Sequence, residues 1–166
     1  MKISILNSPD KDFNYWLELA TEFTMEFLVS KRILRSVTIT IKFLDTKDED
    51  LGYSSIDKYN SLKMPRGFLI EINPGLGARG IISTLVHELI HVSQFIDGKI
   101  DEDLNSWHGF FISDDMEYWD QPWEIDAYGR TPGILTRFVR KHQLWNVFAD
   151  IRNPSTPREP KPIRWK

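Results

Sequence analysis

The sequence predicts an α+β domain. A small twisted sheet, mainly antiparallel or mixed, should pack on an N-terminal helix and a second long helix, with a more helical C-terminal part. Two observations carry this. Val37, Ile39, Ile41 and Phe43 alternate with Thr38, Thr40 and Lys42, and Phe68, Ile70 and Ile72 alternate with Leu69, Glu71 and Asn73, the period of half-buried strands. Phe13, Trp16, Leu17, Ala20, Phe23 and Phe27 recur at helical spacing, as do Ile82, Leu85, Leu89, Val92 and Ile96. With 166 residues, 41% of them apolar, the chain is long enough to bury one core. We expect a single domain over residues 1–152 and a tail over 153–166.

Taken in order, Ile3 and Ile5 mark a short first strand. Ser8-Pro9 reads as an N-cap followed by proline in a first helical turn. Asp10 and Asp12 would favour the helix dipole, and the helix should run to about Ser30. The strand at 37–43 follows. An acidic loop with Asp45, Asp48, Glu49 and Asp50 lacks the regular ligand spacing and closing glutamate of a calcium loop. Tyr53 to Asn60 reads as a strand, Pro65-Arg66-Gly67 as a turn, and Asn73-Pro74-Gly75 as the end of the strand after it. A helix from about Arg79 to Ile96 stops at Asp97-Gly98. Asn105 to Ile112 has strand-like aromatics. Gln121-Pro122 opens a helix that Thr131-Pro132-Gly133 interrupts or restarts, continuing to about Phe148. Pro154, Pro157, Pro160 and Pro162 predict an extended tail.

Composition narrows the function classes. The net charge of −3 gives the whole chain no general attraction for nucleic acid. The absence of cysteine excludes a disulfide scaffold, a thiolate metal site and a cysteine nucleophile. No stretch approaches the roughly 20 apolar residues of a membrane span. The start, Met1 to Leu6, is too short an apolar run for a signal peptide, so we expect a cytoplasmic protein without a membrane partner. Gly75-Leu76-Gly77-Ala78-Arg79-Gly80 precedes a helix but lacks the lysine and hydroxyl residue of a phosphate-binding loop.

His87-Glu88-Leu89-Ile90-His91 is the informative stretch. Residues four apart on a helix are surface neighbours, so two imidazoles can meet one metal ion without backbone strain. The glutamate sits one residue round the helix and can reach a water at the metal without being a ligand. His87 and His91 fall roughly opposite the apolar stripe from Ile82 to Ile96, while Val86 and Ile90 widen that stripe, which places the histidines in a sheltered cleft. A catalytic zinc takes three protein ligands and keeps one position open. Candidates for the third are Glu124, with Asp126 as the fallback carboxylate, and His108. Glu124 has a second reading as a first-turn residue that favours the dipole or caps the helix.

The HExxH helix, the following Trp107-His108-Gly109 hairpin and the later Pro122-Trp123-Glu124 helix resemble zinc metallopeptidases of the zincin class, gluzincin type. They are similar to small metallopeptidases common in bacteriophages and prophages. The resemblance covers roughly Gly67 to Arg130. It implies a zincin-like fold and a zinc ion held by His87, His91 and Glu124. It also implies peptide-bond hydrolysis by zinc-activated water with Glu88 as general base. The implied partner is a protein or peptide substrate, and the compartment is the host cytoplasm if the chain is phage-encoded.

Tyr128, one turn after Glu124, is the expected oxyanion donor, with Tyr118, His108 and Arg130 as alternatives. The Gly67–Asn73 strand is expected to form the cleft edge where an extended peptide pairs. Two other readings stay open. One is a non-catalytic zincin-like binding or structural protein. The other is a SprT-like protease acting on DNA-bound proteins, with His108 as third ligand and weak single-stranded DNA binding.

Overall fold

The computed structural model describes residues 1–44, 51–146 and 148. The acidic loop at 45–50 and the tail at 153–166 lie outside the described residues. The architecture is α+β with a mixed sheet. β1 (Lys2–Leu6) leads through α1 (Asn14–Leu28) and the short α2 (Lys31–Leu34) to β2 (Thr38–Phe43). β3 (Gly52–Tyr59) and β4 (Pro65–Ile72) complete a four-stranded sheet of order β1-β2-β4-β3. β1 pairs parallel with β2 and β2 parallel with β4, while β3 pairs antiparallel with β4. The sheet is thus mixed, with parallel pairs in the majority. Then come α3 (Ala78–Ile96), a small hairpin of β5 (Ser106–Trp107) and β6 (Phe110–Phe111), a turn of 3-10 helix at Tyr118–Asp120, and α4 (Pro122–His142).

The alternation read in the sequence decides which face of the sheet is covered. Ile39, Ile41 and Phe43 of β2 and Phe68, Ile70 and Ile72 of β4 are buried, and α3 lies on that side against β3 and β4. The opposite face carries the Lys42–Glu71 ion pair, Nζ to Oε1 2.9 Å. α3 is the centre of the domain: α1 and α4 both pack against it, and from Ile81 to Ile96 all but Ser83 and His87 are buried. A helix closed in on every side can hold polar groups only if each finds a partner.

Four elements differ from expectation. Ser8-Pro9 does not open α1. Ser8 Oγ donates to the Asp10 carbonyl and Asp10 Oδ1 accepts from the Asp12 amide, so the segment is a local turn and the helix begins at Asn14. Pro65-Arg66-Gly67 belongs to β4. The turn lies earlier, where Asn60 Oδ1 accepts from the Leu62 and Met64 amides and Lys63 takes φ 57°. β4 is an interior strand flanked by β2 and β3, so the open edge beside α3 is β3. Finally, α4 runs unbroken through Pro132 and ends at His142, with Gln143 left-handed at its C-cap. Its stripe of Trp123, Ala127, Thr131, Ile134, Leu135, Phe138 and Val139 packs on both sides of the proline. The Thr131 hydroxyl donates to the Ala127 carbonyl at 2.8 Å.

Candidate metal centre

His87 and His91 lie one turn apart on α3, their side-chain surfaces 12% and 9% exposed. Glu124, in the first turn of α4, faces them across the helix interface. α4 has no side-chain cap at its N-terminus, so the Glu124 carboxylate is turned to the histidines and not to the backbone. His87 Nε2 lies 3.2 Å from Glu124 Oε2, His91 Nε2 3.3 Å from Glu124 Oε1, and the two Nε2 atoms 3.1 Å apart. Among the described residues these three side chains form a group that could hold a metal ion, with one ligand atom from each lying within 4.8 Å of the others.

These separations test whether the residues fit a metal. A tetrahedral ion bound at about 2.0–2.1 Å spaces its ligand atoms by about 3.4 Å. The two imidazole nitrogens, 3.1 Å apart, come close to that edge length, and the Glu124 carboxylate meets His87 through Oε2 at 3.2 Å and His91 through Oε1 at 3.3 Å. The donor set, two imidazole nitrogens and a carboxylate, suits a borderline-soft divalent ion. The three residues could therefore hold a metal ion, with His87 and Glu88 lining the cavities beside them.

The electrostatics fit converging acceptors. Burial pushes the Glu124 carboxyl up, but hydrogen bonds from His87 and His91 outweigh it and hold the group at about 2. Burial pulls His91 down, yet the hydrogen bond to Glu124 and the charges of Glu88 and Glu124 raise it above its ordinary value. Glu88 is 5% exposed, and burial raises its pKa against the opposing pull of His91, His87 and a hydrogen bond from Ser54. Ser54, on β3, is itself buried.

Gly52, two residues before Ser54, explains how β3 comes so close. A Cβ there would collide with Thr84 Cγ2 of α3, press on the Glu71 carbonyl oxygen at 3.1 Å and sit 3.5 Å from Glu88 Cγ.

Two tyrosines line the site. Tyr118 donates to Glu124 Oε2 at 2.8 Å, and its own ionisation is pushed far up by burial and by hydrogen bonds with Glu124 and Tyr128. The Tyr128 ring lies 4.5 Å from that of His87 and 5.1 Å from Trp119. The other candidates fall elsewhere. His108 is exposed at the β5–β6 turn with φ 51° and takes no part in the ligand group. Asp126 accepts from Gln94 Nε2 at 3.0 Å and pairs with Arg130 at 3.3 Å, which also commits Arg130 outside the cluster. Ser54 and Gln94 were not singled out in the sequence. The usable signal for Gln94 was that Gly80 to Ile96 carries Glu88 as its only full charge, so any polar group there had to be buried and partnered.

The cluster sits between two cavities. One of ≈ 650 Å³ is lined by Thr84, His87, Glu88, Tyr118, Trp119, Tyr128, Pro132 and Leu135 among others. The second, of ≈ 280 Å³, extends along Gly52, Tyr53 and Ser54 past His91 to Phe95 and Leu104. No described helix is long and apolar enough to cross a membrane. Comparison with protein-family models, curated proteins and solved structures gives no match.

Proposed function

We propose that the chain is a zinc-dependent metallopeptidase of zincin type, hydrolysing peptide bonds with Glu88 as general base. The observation that carries the reading is the convergence of His87 Nε2, His91 Nε2 and the Glu124 carboxylate beside a buried glutamate that is not one of the three. A structural site closes all four positions with protein and has no use for an adjacent base. Zinc bound there would act as a Lewis acid, polarising the scissile carbonyl and lowering the pKa of an attacking water.

The chain's own groups do the rest. Glu88 accepts the proton of the attacking water on its carboxylate and returns it to the leaving amine nitrogen. Its burial, offset by Ser54, the two histidines and their charge, keeps a carboxylate basic enough to take that proton. Tyr118 fixes Glu124 through its hydroxyl. Tyr128, its ring tilted against that of His87, is the donor for the developing oxyanion. The substrate is an extended peptide that adds to the outer side of β3, where Gly52 to Ser54 pass the site, with side chains reaching the cavities on either hand.

The test measures zinc by mass spectrometry and cleavage of a mixed peptide library in the wild type, Glu88→Gln and His87→Ala. The wild type should carry about one zinc per chain and cleave. Glu88→Gln should keep the zinc and lose about 10²–10⁴-fold in rate, and His87→Ala should lose both. Zinc without cleavage of any peptide would leave a binding protein, and a wild type that takes up no zinc would remove the metal reading itself.

A further inference from the structure

Gln94 is fully buried on α3, one turn beyond His91, and every polar atom of its amide is engaged. Gln94 Nε2 lies 3.1 Å from the Trp123 carbonyl and 3.0 Å from Asp126 Oδ2. Both of those atoms can only accept, so the amide nitrogen must face them. The orientation of the side chain is therefore settled, and Oε1 is left facing His91 Nδ1 at 2.8 Å. An amide oxygen only accepts, so Nδ1 carries the hydrogen. The other nitrogen, Nε2, faces His87 and Glu124; in the charged ring it also holds a hydrogen towards the Glu124 carboxylate, and when that hydrogen leaves it is Nε2 that presents the lone pair. The same amide nitrogen grips the first turn of α4, the turn that carries Glu124.

We propose that Gln94 is the positioning residue of the metal centre, fixing His91 in its Nδ1–H tautomer and clamping the Glu124-bearing turn of α4 onto α3. This rests on the metal-binding reading of His87, His91 and Glu124 and assigns its outer support. Groups that hold a ligating histidine through its second nitrogen govern affinity by setting ring orientation and basicity. Here one side chain does this and also sets the distance between the two ligand-bearing helices. Asp126, whose Oδ2 is shared between Gln94 and Arg130, anchors the far end.

The experiment uses the full chain labelled with ¹⁵N at histidine. Two-bond ¹H–¹⁵N spectra of the metal-free protein, recorded where His91 is neutral and assigned by the signal lost in His91→Ala, read the tautomer directly. Zinc affinity is read by competition with a chromophoric chelator. The wild type should show the Nδ1–H tautomer at His91. Gln94→Leu should lose that preference and bind zinc about 10–100-fold more weakly. Gln94→Glu keeps an acceptor for Nδ1–H but loses the grip on Trp123, so it should keep the tautomer and bind zinc with intermediate affinity. An Nε2–H tautomer in the wild type overturns the proposal, as does a Gln94→Leu protein with unchanged tautomer and affinity. Should Gln94→Leu fail to fold, the wild-type and Gln94→Glu spectra decide. Should the wild type bind no zinc, the metal reading falls, while the tautomer still answers for Gln94.

Discussion

Glu88 is nearly buried and takes its properties from its neighbours. Burial raises its pKa, and the two histidines and the Ser54 hydroxyl pull it back. Ser54→Ala removes a hydrogen bond to the charged form, so the Glu88 pKa must rise further. A general base works ionised, so the acid limb of the pH–rate profile should move to higher pH while zinc content stays the same. An unmoved acid limb would show that Ser54 does not tune the base. At the same scale Glu124 and His108 separate cleanly. Glu124 touches both histidines, whereas His108 is exposed at the hairpin turn. Glu124→Ala should weaken zinc binding by at least about tenfold and His108→Ala should leave it unchanged, since only the first removes a ligand-distance group. The reverse result in a zinc titration would return the third-ligand role to the hairpin.

Among the elements, β3 and α3 meet at Gly52 with no room for a methyl group. Gly52→Ala must push Thr84 or the strand aside, an overpacking that should cost about 1–3 kcal/mol in denaturant unfolding. Thr84 and Glu88 lie on the strained side, so peptide hydrolysis should fall by more than zinc affinity does. Equal losses in both would place the strain elsewhere. The period-two strands, the motif helix and the Pro122-Trp123-Glu124 start of α4 were legible because local pattern alone defines them. Strand order was not, because alternation in Phe68, Ile70 and Ile72 reports which face is buried but not which strands lie beside it. β4 was accordingly expected at an edge and lies inside, and the edge role passes to β3. Ser8-Pro9 and Pro132 were misread for one reason: proline reports what its own backbone cannot do, while a turn's hydrogen bonds or a packed stripe decides where a helix runs. The histidine pair was legible from its spacing, whereas Ser54 and Gln94 enter through contacts between elements that no local pattern encodes.

On the scale of the whole molecule, the group of His87, His91 and Glu124 joins α3, the helix at the centre of the domain, to α4. A metal that bridges two elements stabilises the fold by binding the native state alone, so its removal by chelator should lower the melting temperature. The size of that drop should depend on pH with a definite sign. In the metal-free protein His91 has a pKa raised above its ordinary 6.5, chiefly because the Glu124 hydrogen bond and the Glu88 charge outweigh burial. A group raised on folding contributes stability that is fully present below 6.5 and is lost as pH rises through the folded-state value. Glu124, held at about 2, stays ionised throughout and adds no slope of its own near neutrality. A zinc-loaded protein should behave oppositely, because zinc held by these groups would compete with protons for both imidazoles and bind more tightly as pH rises. The gap in melting temperature between zinc-loaded and chelated protein should therefore widen steadily from pH 6 to pH 8 in paired thermal scans. In His91→Ala the gap should be small and flat across the same range. A gap that shrinks with rising pH in the wild type would mean that the stabilising ion sits somewhere other than on these histidines.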